Sequence, residues 1–498
     1  MVQYLTNLKI AYSDGGRLIM EHNRELQVIL DVGIALSAER DVNRLFNLII
    51  ANSMAITNCD AGTLYLLEDN VLKFKIMKTL SLNIDKGSNG ETIELPPVDL
   101  KEENICAYSA IYDKALNIED VYNSDLFDFS GPKRYDKLTG YRTQSMLVVP
   151  LSDHDGSKVG VLQLLNAKDT EGNTIPFSQS YERIVLALAS QTAIAVSNMR
   201  YREELKEQMW SFTEAMAAAI DERTPYNASH TRNVAKYSGK IADYITKLHD
   251  EGKEENYFDE HRREQLVMGA YLHDIGKIAV PLEVMNKATR LNGGEREVKT
   301  RFEIFDLKAE TYLLSNKISR EEYDKMLSKT AHAYDVVKRV NDAGFLNDDL
   351  RAELEEVLAY DFFGEPFFRE IEKECLRVVK GTLTTAERKI MEDHVVITER
   401  ILSKVHFNKY FANSPKIAVK HHECLNGKGY PKGLTAEDLT LDDRIIAVAD
   451  ICDALLATDR PYKKPIPKEK AFDIMRGMAK DGNIDGRLVE YLYECIDD

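Results

Sequence analysis

The segment AYLHDIGKIAVP, residues 270–281, contains an adjacent pair of potential metal ligands, His273 and Asp274. Neighbouring residues on a helix project about 100° apart, so both side chains reach one metal ion most easily from a helix end or a turn. Gly276 could supply that turn. Because a carboxylate can bridge two metals with its two oxygens, the pair predicts a site in which Asp274 joins two cations.

A second segment, HHECLNGKGYP at residues 421–431, contains another adjacent pair, His421 and His422, which suits a second metal. Imidazole and carboxylate groups are ligands for borderline first-row metals such as iron, manganese or zinc. A single histidine more often has a structural role, but two doublets in one helical region change that balance. The informative residues are His230, His273, Asp274, His394, His421, His422 and Asp450.

A mixed nitrogen and oxygen ligand set suits hydrolysis. Two close metals lower the pKa of a bridging water and stabilise the attacking and leaving oxygens of an in-line phosphoryl displacement. Lys277, three residues beyond Asp274, could hold a non-bridging phosphate oxygen as a point charge. The alternative for such a lysine is a solvated surface position.

The chain divides into two regions with different patterns. Apolar residues recur at helical spacing from Arg24 to Asn58, and the β-rich runs AGTLYLL, VLKFKIM, SMLVVPLS and KVGVLQLLNA follow. This region predicts an α+β domain with a mainly antiparallel sheet that ends near Asn198. The sequence after Thr224 has the amphipathic pattern of helices, which predicts an all-α domain.

One long helix is predicted between these regions, because neither glycine nor proline occurs between Ser178 and Thr224. Two interpretations of its apolar stripe stay open: a dimeric connector with a polar middle, or an amphipathic helix packed on its own domain. Gln191, Asn198 and Arg202 interrupt the stripe. Its heptad seam comprises Ile184, Leu188, Ala195, Leu205, Met209, Phe212 and Met216.

Length and charge limit the class of protein. A chain of 498 residues is too long for one core, so two or three domains are expected. The net charge of −17 argues against broad binding to nucleic-acid polymers, which needs an extended basic surface. A small anionic substrate stays compatible if basic residues cluster locally, and the candidates are Lys277, Lys287, Lys428 and Arg444.

The cellular compartment is predicted from two features. The 6 cysteines lack metal-binding spacing, which fits reduced thiols. The N-terminus lacks an apolar signal core, and no run approaches the roughly 20 apolar residues of a membrane span. We therefore expect a cytoplasmic protein without membrane insertion.

The two quoted segments resemble the HD-GYP family of cyclic di-GMP phosphodiesterases. Further matching pieces lie around His230, around His394 and over residues 444–463, in the family's order. The resemblance implies two divalent metals, iron or manganese. The ligands it implies are His230, His273, Asp274 and Asp450 for the first metal, and His394, His421 and His422 with Asp274 for the second.

The same resemblance implies the substrate contacts. Lys277 would face the phosphate, and Gly429, Tyr430 and Pro431 match a signature loop that approaches the nucleotide. Arg444 is a further candidate for substrate binding. The alternative for the loop is a tight structural turn, and both roles can hold at once.

Two features depart from the family's pattern. Some members carry a glutamate four residues before the first histidine and bind a third metal, but Tyr226 stands there, so two metals are favoured. The chain also carries a charged, helical insertion at about residues 292–380, between Asp274 and His394. Such an insertion could form a lid, a partner surface or a dimer contact.

The N-terminal region resembles a GAF domain. The resemblance rests on LSAERDVNRLFNLIIANSMAITNCDAGTLYLLE, on LNIEDVYN and on SMLVVPLSDHDGSKVGVLQLLNAKD. Such domains enclose a small pocket, but pocket residues vary too much to identify a ligand. We therefore expect an unknown small ligand and a sensory role.

These observations combine into one expected architecture. It comprises an N-terminal extension (1–24), a GAF-like sensor domain (25–198), a connecting helix with a dimer contact (199–223) and an HD-GYP-like catalytic domain (224–498). The expected activity is hydrolysis of cyclic di-GMP to pGpG and then GMP under sensor control, in a homodimer. The rivals are a non-catalytic receptor of the dinucleotide and an HD-type hydrolase of another cyclic dinucleotide or nucleotide.

Overall fold

The computed structural model describes residues 41–153, 155–223, 229–457 and 466–497, together with Gly33. Contacts divide the chain into two compact units between Glu207 and Gln208. The predicted extension at residues 1–24, Tyr226 and the end of the matched segment at residues 458–463 lie outside the described residues.

The first unit is built on an antiparallel sheet in the order β3-β2-β1-β7-β6-β5, with β4 beside β2 and β8 beside β7. Leu64 in the central strand pairs with Ile76 on one side and Leu162 on the other. The strands are β1 Cys59–Glu68, β2 Val71–Thr79, β3 Ile84–Lys86, β4 Val98–Asp99, β5 Leu116–Ile118, β6 Met146–Ser152, β7 Lys158–Lys168 and β8 Thr174–Ile175.

Helices cover both faces of this sheet, which explains why the central strands are buried at nearly every position. One apolar core joins the sheet to α1 and to the first part of α4, and a second core joins it to α2. Asp41 caps α1 by accepting a hydrogen bond from the backbone N–H of Arg44. The helices are α1 Val42–Thr57, α2 Ile105–Tyr112, α3 Ser130–Thr139 and α4 Gln179–Asp221.

The helix α4 is continuous over 43 residues, so the predicted long helix is present. Ile184 and Leu188 of the proposed seam are buried in the core of the first unit. Leu205 and Phe212 are 61% and 59% exposed. The early positions of the seam therefore pack on their own domain, and the later positions Met209 and Met216 pack on a second apolar cluster. The dimer contact stays a prediction, with exposed Leu205 and Phe212 as its remaining candidates.

The second unit is helical. One apolar core unites α5, α6, α14, α15 and α16. Its helices are α5 His230–Asp250, α6 Glu260–Leu272, α7 Leu282–Met285, α8 Glu295–Leu314, α9 Arg320–Asp342, α10 Asp348–Leu358, α11 Glu370–Leu376, α12 Thr385–Leu402, α13 Ser414–Ala418, α14 Leu441–Leu456, α15 Lys468–Lys480 and α16 Gly486–Cys495. The predicted fold class, an antiparallel α+β domain followed by a helical domain, is confirmed.

The insertion has a core of its own. Its helices α8 to α11 and the short hairpin of β9 (Asp361–Phe362) and β10 (Glu365–Pro366) enclose Phe302, Phe305 and Phe367. Among the described residues, no helix combines the length and the apolar character that a membrane crossing requires.

Candidate metal centre

Helix ends, turns and two helix interiors supply the side chains of the candidate metal centre. His230 begins α5, His273 directly follows α6, and Asp450 lies within α14. Asp274 precedes a short 3-10 turn, Ile275–Ala279. The adjacent His-Asp pair therefore lies at a helix end, the position from which two neighbouring side chains can converge.

Asp274 lies between two groups of histidines. Its Oδ2 is 3.2 Å from Nε2 of both His230 and His273, and its Oδ1 is 3.3 Å from Nε2 of His394 and 3.9 Å from Nε2 of His421. Two ligands of one cation, each bound at about 2.1 Å, lie about 3.0–3.4 Å apart. Most of these spacings are those expected of ligands around shared cations.

The remaining contacts separate into two halves on either side of Asp274. Donor atoms within 4.8 Å of one another form three groups. We call His230, His273 and Asp450 the acidic half, and His394, His421 and His422 the imidazole half. The third group, His273, Asp274 and His421, joins the two halves. The two halves touch, because Nδ1 of His422 is 3.8 Å from Oδ2 of Asp450. All seven predicted ligands thus lie in one cluster, and their assignment to two metals stays a prediction.

Two buried atoms of this cluster indicate that cations belong there. Nε2 of His273 and Oδ1 of Asp274 have no hydrogen-bond partner among the described residues. The neighbouring nitrogens and oxygens are close, but they do not meet hydrogen-bond geometry. A buried polar atom without a partner costs about 1–3 kcal/mol, and a divalent cation would satisfy both atoms. The residues present therefore fit divalent metal binding.

Three histidines are oriented by their own helices. Nδ1 of His273, His394 and His421 lies 2.6, 2.5 and 2.9 Å from the backbone carbonyl three residues earlier. A carbonyl only accepts hydrogen bonds, so we assign the proton to Nδ1. Nε2 is then left with its lone pair directed at the cluster, the arrangement that a metal-binding imidazole needs.

His230 is oriented by a carboxylate that sequence analysis missed. Nδ1 of His230 is 2.7 Å from Oδ2 of Asp453, whose Oδ1 accepts a hydrogen bond from Nδ2 of Asn233 at 2.8 Å. Asp453 follows Asp450 by three residues on α14, and residues three apart share a helix face. That spacing could have indicated a second carboxylate behind the metal ligands.

The two halves differ in protonation. Burial alone would lower the pKa of His230, but hydrogen bonds to Asp274, Asp450 and Asp453 outweigh it and raise that pKa well above the ordinary value. Burial, against a partial offset from carboxylates, lowers the pKa of His422 to about 4. His230 therefore holds a proton more readily than His422 does.

The shared carboxylate stays ionised. Burial by itself would raise the pKa of Asp274, but electrostatic attraction to the neighbouring His273 and Lys277, together with a hydrogen bond from His230, holds it well below the ordinary value. Burial and the neighbouring His422 keep the pKa of His421 well below 6.5. An ionised carboxylate beside neutral imidazoles is the state in which these groups bind metals.

Gly276 lets the 3-10 turn approach α12 closely. A Cβ at this position would lie 1.9 Å from the backbone oxygen of His394. Its N–H donates to Oγ1 of Thr398 at 3.0 Å, and that hydroxyl donates to the carbonyl of His273 at 3.2 Å. Thr398, which sequence analysis did not select, thus ties the segment that carries His273 to the helix that carries His394.

The glycine-rich loop folds back onto the histidine doublet. A Cβ at Gly429 would lie 2.3 Å from the backbone nitrogen of Cys424, so glycine is required for this approach. The N–H of Tyr430 donates to the carbonyl of His422 at 3.1 Å, and their ring centroids are 4.7 Å apart. The cis Tyr430-Pro431 peptide follows. The loop therefore covers the imidazole half, and its contact with a nucleotide stays a prediction.

The predicted phosphate-facing lysine contacts the shared carboxylate. Nζ of Lys277 is 2.5 Å from Oδ2 of Asp274, and the side chain is 19% exposed. The ammonium group is thus at the cluster and partly accessible. A phosphate oxygen could bind there by contacting the Lys277 ammonium group alongside Asp274.

Two other basic residues have structural contacts. Arg444 donates to the carbonyls of Leu439 and Ala436 and pairs with Asp485 at 3.2 Å, so a substrate would compete with these bonds. Lys287 was expected to offset the negative charge near the substrate. That expectation is wrong, because Lys287 is buried and bonds both carboxylate oxygens of Glu387 at 2.8 and 2.7 Å.

Comparison with known families agrees with these two units. The model of the GAF domain family matches residues 41–196. One model of the HD domain matches residues 227–358, and a second HD domain model matches residues 373–488. All seven clustered ligands lie within the two HD matches. The predicted combination of a GAF domain with an HD domain is confirmed.

Curated relatives match short stretches of the chain. A 3'3'-cGAMP-specific phosphodiesterase 3 of Vibrio cholerae is 43% identical over 95 residues, 19% of this chain and 20% of its own length. A cyclic di-GMP phosphodiesterase of Thermotoga maritima is 43% identical over 98 residues, 18% of this chain and 24% of its own. The cyclic di-GMP phosphodiesterase response regulator RpfG of Xanthomonas campestris is 44% identical over 113 residues, 22% and 29%. The chain thus spans less than a third of each relative.

Proposed function

Starting from a chain that joins a GAF domain to a helical HD domain, we propose a metal-dependent phosphodiesterase that hydrolyses cyclic di-GMP to linear pGpG, with GMP from a second cleavage. The observation that carries this proposal is the position of Asp274. Its two oxygens lie 3.2 to 3.3 Å from Nε2 atoms of three histidines that belong to both halves of the cluster. Such a shared carboxylate suits two-metal phosphodiester hydrolysis.

We propose iron or manganese as the resident metals. The cluster offers imidazole nitrogens and carboxylate oxygens without a cysteine among its grouped residues. Such a donor set accepts several first-row ions, and geometry and supply select among them. Bound metals would supply an activated water and neutralise charge on the phosphate.

The protein's own residues would orient the reaction. Backbone carbonyls and Asp453 fix the imidazole rings, so that the Nε2 atoms do not have to reorganise. Lys277 would hold a phosphate oxygen at the edge of the cluster. Tyr430, packed on His422, would form the wall against which a base can stack.

Turnover by a metal-loaded preparation tests the proposal. The full chain would be loaded with manganese or ferrous iron without oxygen and incubated with cyclic di-GMP, 3'3'-cGAMP and cyclic di-AMP. We expect cyclic di-GMP to be cleaved faster than the other two dinucleotides, with pGpG as its product, and chromatography would measure the three rates. Tight binding of cyclic di-GMP without any product would instead favour a receptor, and faster cleavage of 3'3'-cGAMP would reassign the substrate.

The remaining expectations belong to the same proposal. A small ligand of the GAF domain would regulate the HD domain, since α4 runs without a break from Gln179 to Asp221. The homodimer and the cytoplasmic location stay predictions. Sedimentation of the purified chain would test the first of them, with exposed Leu205 and Phe212 as the residues to change.

A further inference from the structure

The long helix α4 ends at a residue that bonds the start of α5. Asp221 is buried, and its Oδ1 accepts a hydrogen bond from Oγ1 of Thr231 at 2.8 Å. Its Oδ2 lies 3.3 Å from the backbone nitrogen of Thr231, which donates to it. N–H groups in a first helical turn have no partner within the helix, so a carboxylate there is stabilising. Asp221 thereby holds the turn that begins with His230.

Arg223 follows α4 by two residues and bonds the other ligand-bearing segment. Its Nη1 donates to the carbonyl of Lys277 at 2.8 Å and to that of Ile278, and its Nη2 donates to the carbonyl of Val280 at 3.2 Å. These carbonyls lie at the C-terminal end of the 3-10 turn, where few bonds form within the turn and a cation is favourable. One guanidinium therefore holds three backbone carbonyls within residues 277–280.

We infer that Asp221 and Arg223 are positioning residues of the metal centre. Asp221 acts through Thr231 on His230, and Arg223 acts through backbone carbonyls on the turn that carries Lys277. Because α4 begins at Gln179, in the segment matched by the GAF domain, these are polar contacts by which movement of that helix would reach the ligands, beside the apolar packing of Ile220 with Leu272 and Ile275. The kinetic part of this inference rests on the proposed function, whereas its metal-binding part does not.

A purely structural role makes the opposite prediction. If the bonds of Arg223 only stabilised the fold, their loss would lower the melting temperature of the metal-free chain. The affinity for metal of the remaining folded protein would not change. If they position the turn, metal affinity and turnover fall while the metal-free chain melts at an unchanged temperature.

The experiment compares Arg223→Gln with Arg202→Gln in the full chain. Arg202 is an exposed arginine of α4 whose Nε bonds the carbonyl of Asn198 at 3.3 Å, so it is a matched control. Free Mn²⁺ would be titrated by electron paramagnetic resonance, and kcat and KM would be measured with cyclic di-GMP. For Arg223→Gln we expect Mn²⁺ affinity about tenfold weaker, as for other residues that orient metal ligands, and kcat lower by about the same factor.

Two results would overturn the inference. One is Mn²⁺ affinity in Arg223→Gln equal to that of Arg202→Gln. The other is a lowered melting temperature of the chelated chain with unchanged affinity. Arg223→Lys keeps the positive charge but loses the planar guanidinium group that donates to several carbonyls. This variant should recover part of the Mn²⁺ affinity.

A milder variant covers the case in which Arg223→Gln does not fold. Thr231→Val removes only the hydroxyl donor to Asp221 and should weaken Mn²⁺ binding by less than Arg223→Gln would, whereas unchanged binding would contradict the role of Asp221. If even the unaltered chain shows no turnover, the proposed function fails. The Mn²⁺ comparison still decides the positioning role.

Discussion

The two halves of the metal centre use the same kinds of ligand but hold protons differently. In the acidic half, carboxylates around His230 raise its pKa well above the ordinary value. In the imidazole half, burial among other rings lowers the pKa of His422 to about 4. A neutral imidazole binds a cation directly, whereas a protonated one must first release its proton. The neighbours of a ligand, and not its identity alone, thus set how a site responds to pH.

Asp274→Asn should have the largest effect, because it changes the one residue that both halves share. The amide nitrogen cannot bind a cation, so we expect loss of both metals and a fall in turnover of about a thousandfold or more. Elemental analysis and product formation would measure this. The control is Asp393→Asn, a partly exposed carboxylate that pairs with Lys389. Two metals retained in Asp274→Asn would contradict the shared role.

Removing one ligand from each half tests whether the halves are separate. His230→Ala should empty the acidic half, and His422→Ala should empty the imidazole half, each leaving about one metal per chain. Metal content after gel filtration would measure the stoichiometry. Complete loss of metal from either variant would show that the two halves bind metal cooperatively, and it would contradict their treatment as separate sites.

The pH dependence of metal binding should differ between the halves. Below its raised pKa, His230 is protonated, so a cation there displaces a proton and affinity should rise about tenfold per pH unit. His422 takes a proton only as pH falls toward about 4, so this residue should add little pH dependence to the affinity of the imidazole half between pH 7 and pH 5. Titrating Mn²⁺ into His422→Ala and His230→Ala separately would measure each slope, and equal slopes would contradict the assignment.

Asp453→Asn should produce the smallest of these effects. The amide oxygen can still accept the proton of His230 Nδ1, but the charge that strengthens this hydrogen bond is lost. We expect about tenfold weaker metal binding at the acidic half and no change in metal binding at the imidazole half. Manganese titration would reveal the difference, and an equal loss at both halves would indicate general destabilisation.

Local patterns were sufficient to predict the fold class. The β-rich runs and the glycine-free stretch before Thr224 act over short distances in sequence, and the structure has the corresponding sheet and long helix. The insertion was located by its extra length between Asp274 and His394, where the chain departs from the family's pattern. Its separate core around Phe302 and Phe367 could not be predicted, since those contacts join residues far apart in sequence.

The residues of the site could be predicted only where they lie within a recognisable sequence motif. The adjacent pairs and the resemblance to the HD-GYP family led to all seven clustered side chains, but not to Asp453 or Thr398, whose roles depend on which helix faces meet. For the same reason Lys287 was misjudged: its partner Glu387 lies beyond the insertion. The ion pair between Arg444 and Asp485 likewise could not be predicted, because the two residues lie far apart in the sequence.

The buried Arg290 has a consequence for how the chain can vary. Its guanidinium donates to the carbonyls of Val340, Ala343 and Val378. These bonds hold the first and last residues of the insertion, near 292 and 380, close together. The entropic cost of closing a loop grows only slowly with its length, and the inserted segment contributes its own buried core. A change in the length of the inserted segment should therefore leave the two groups of ligands in place.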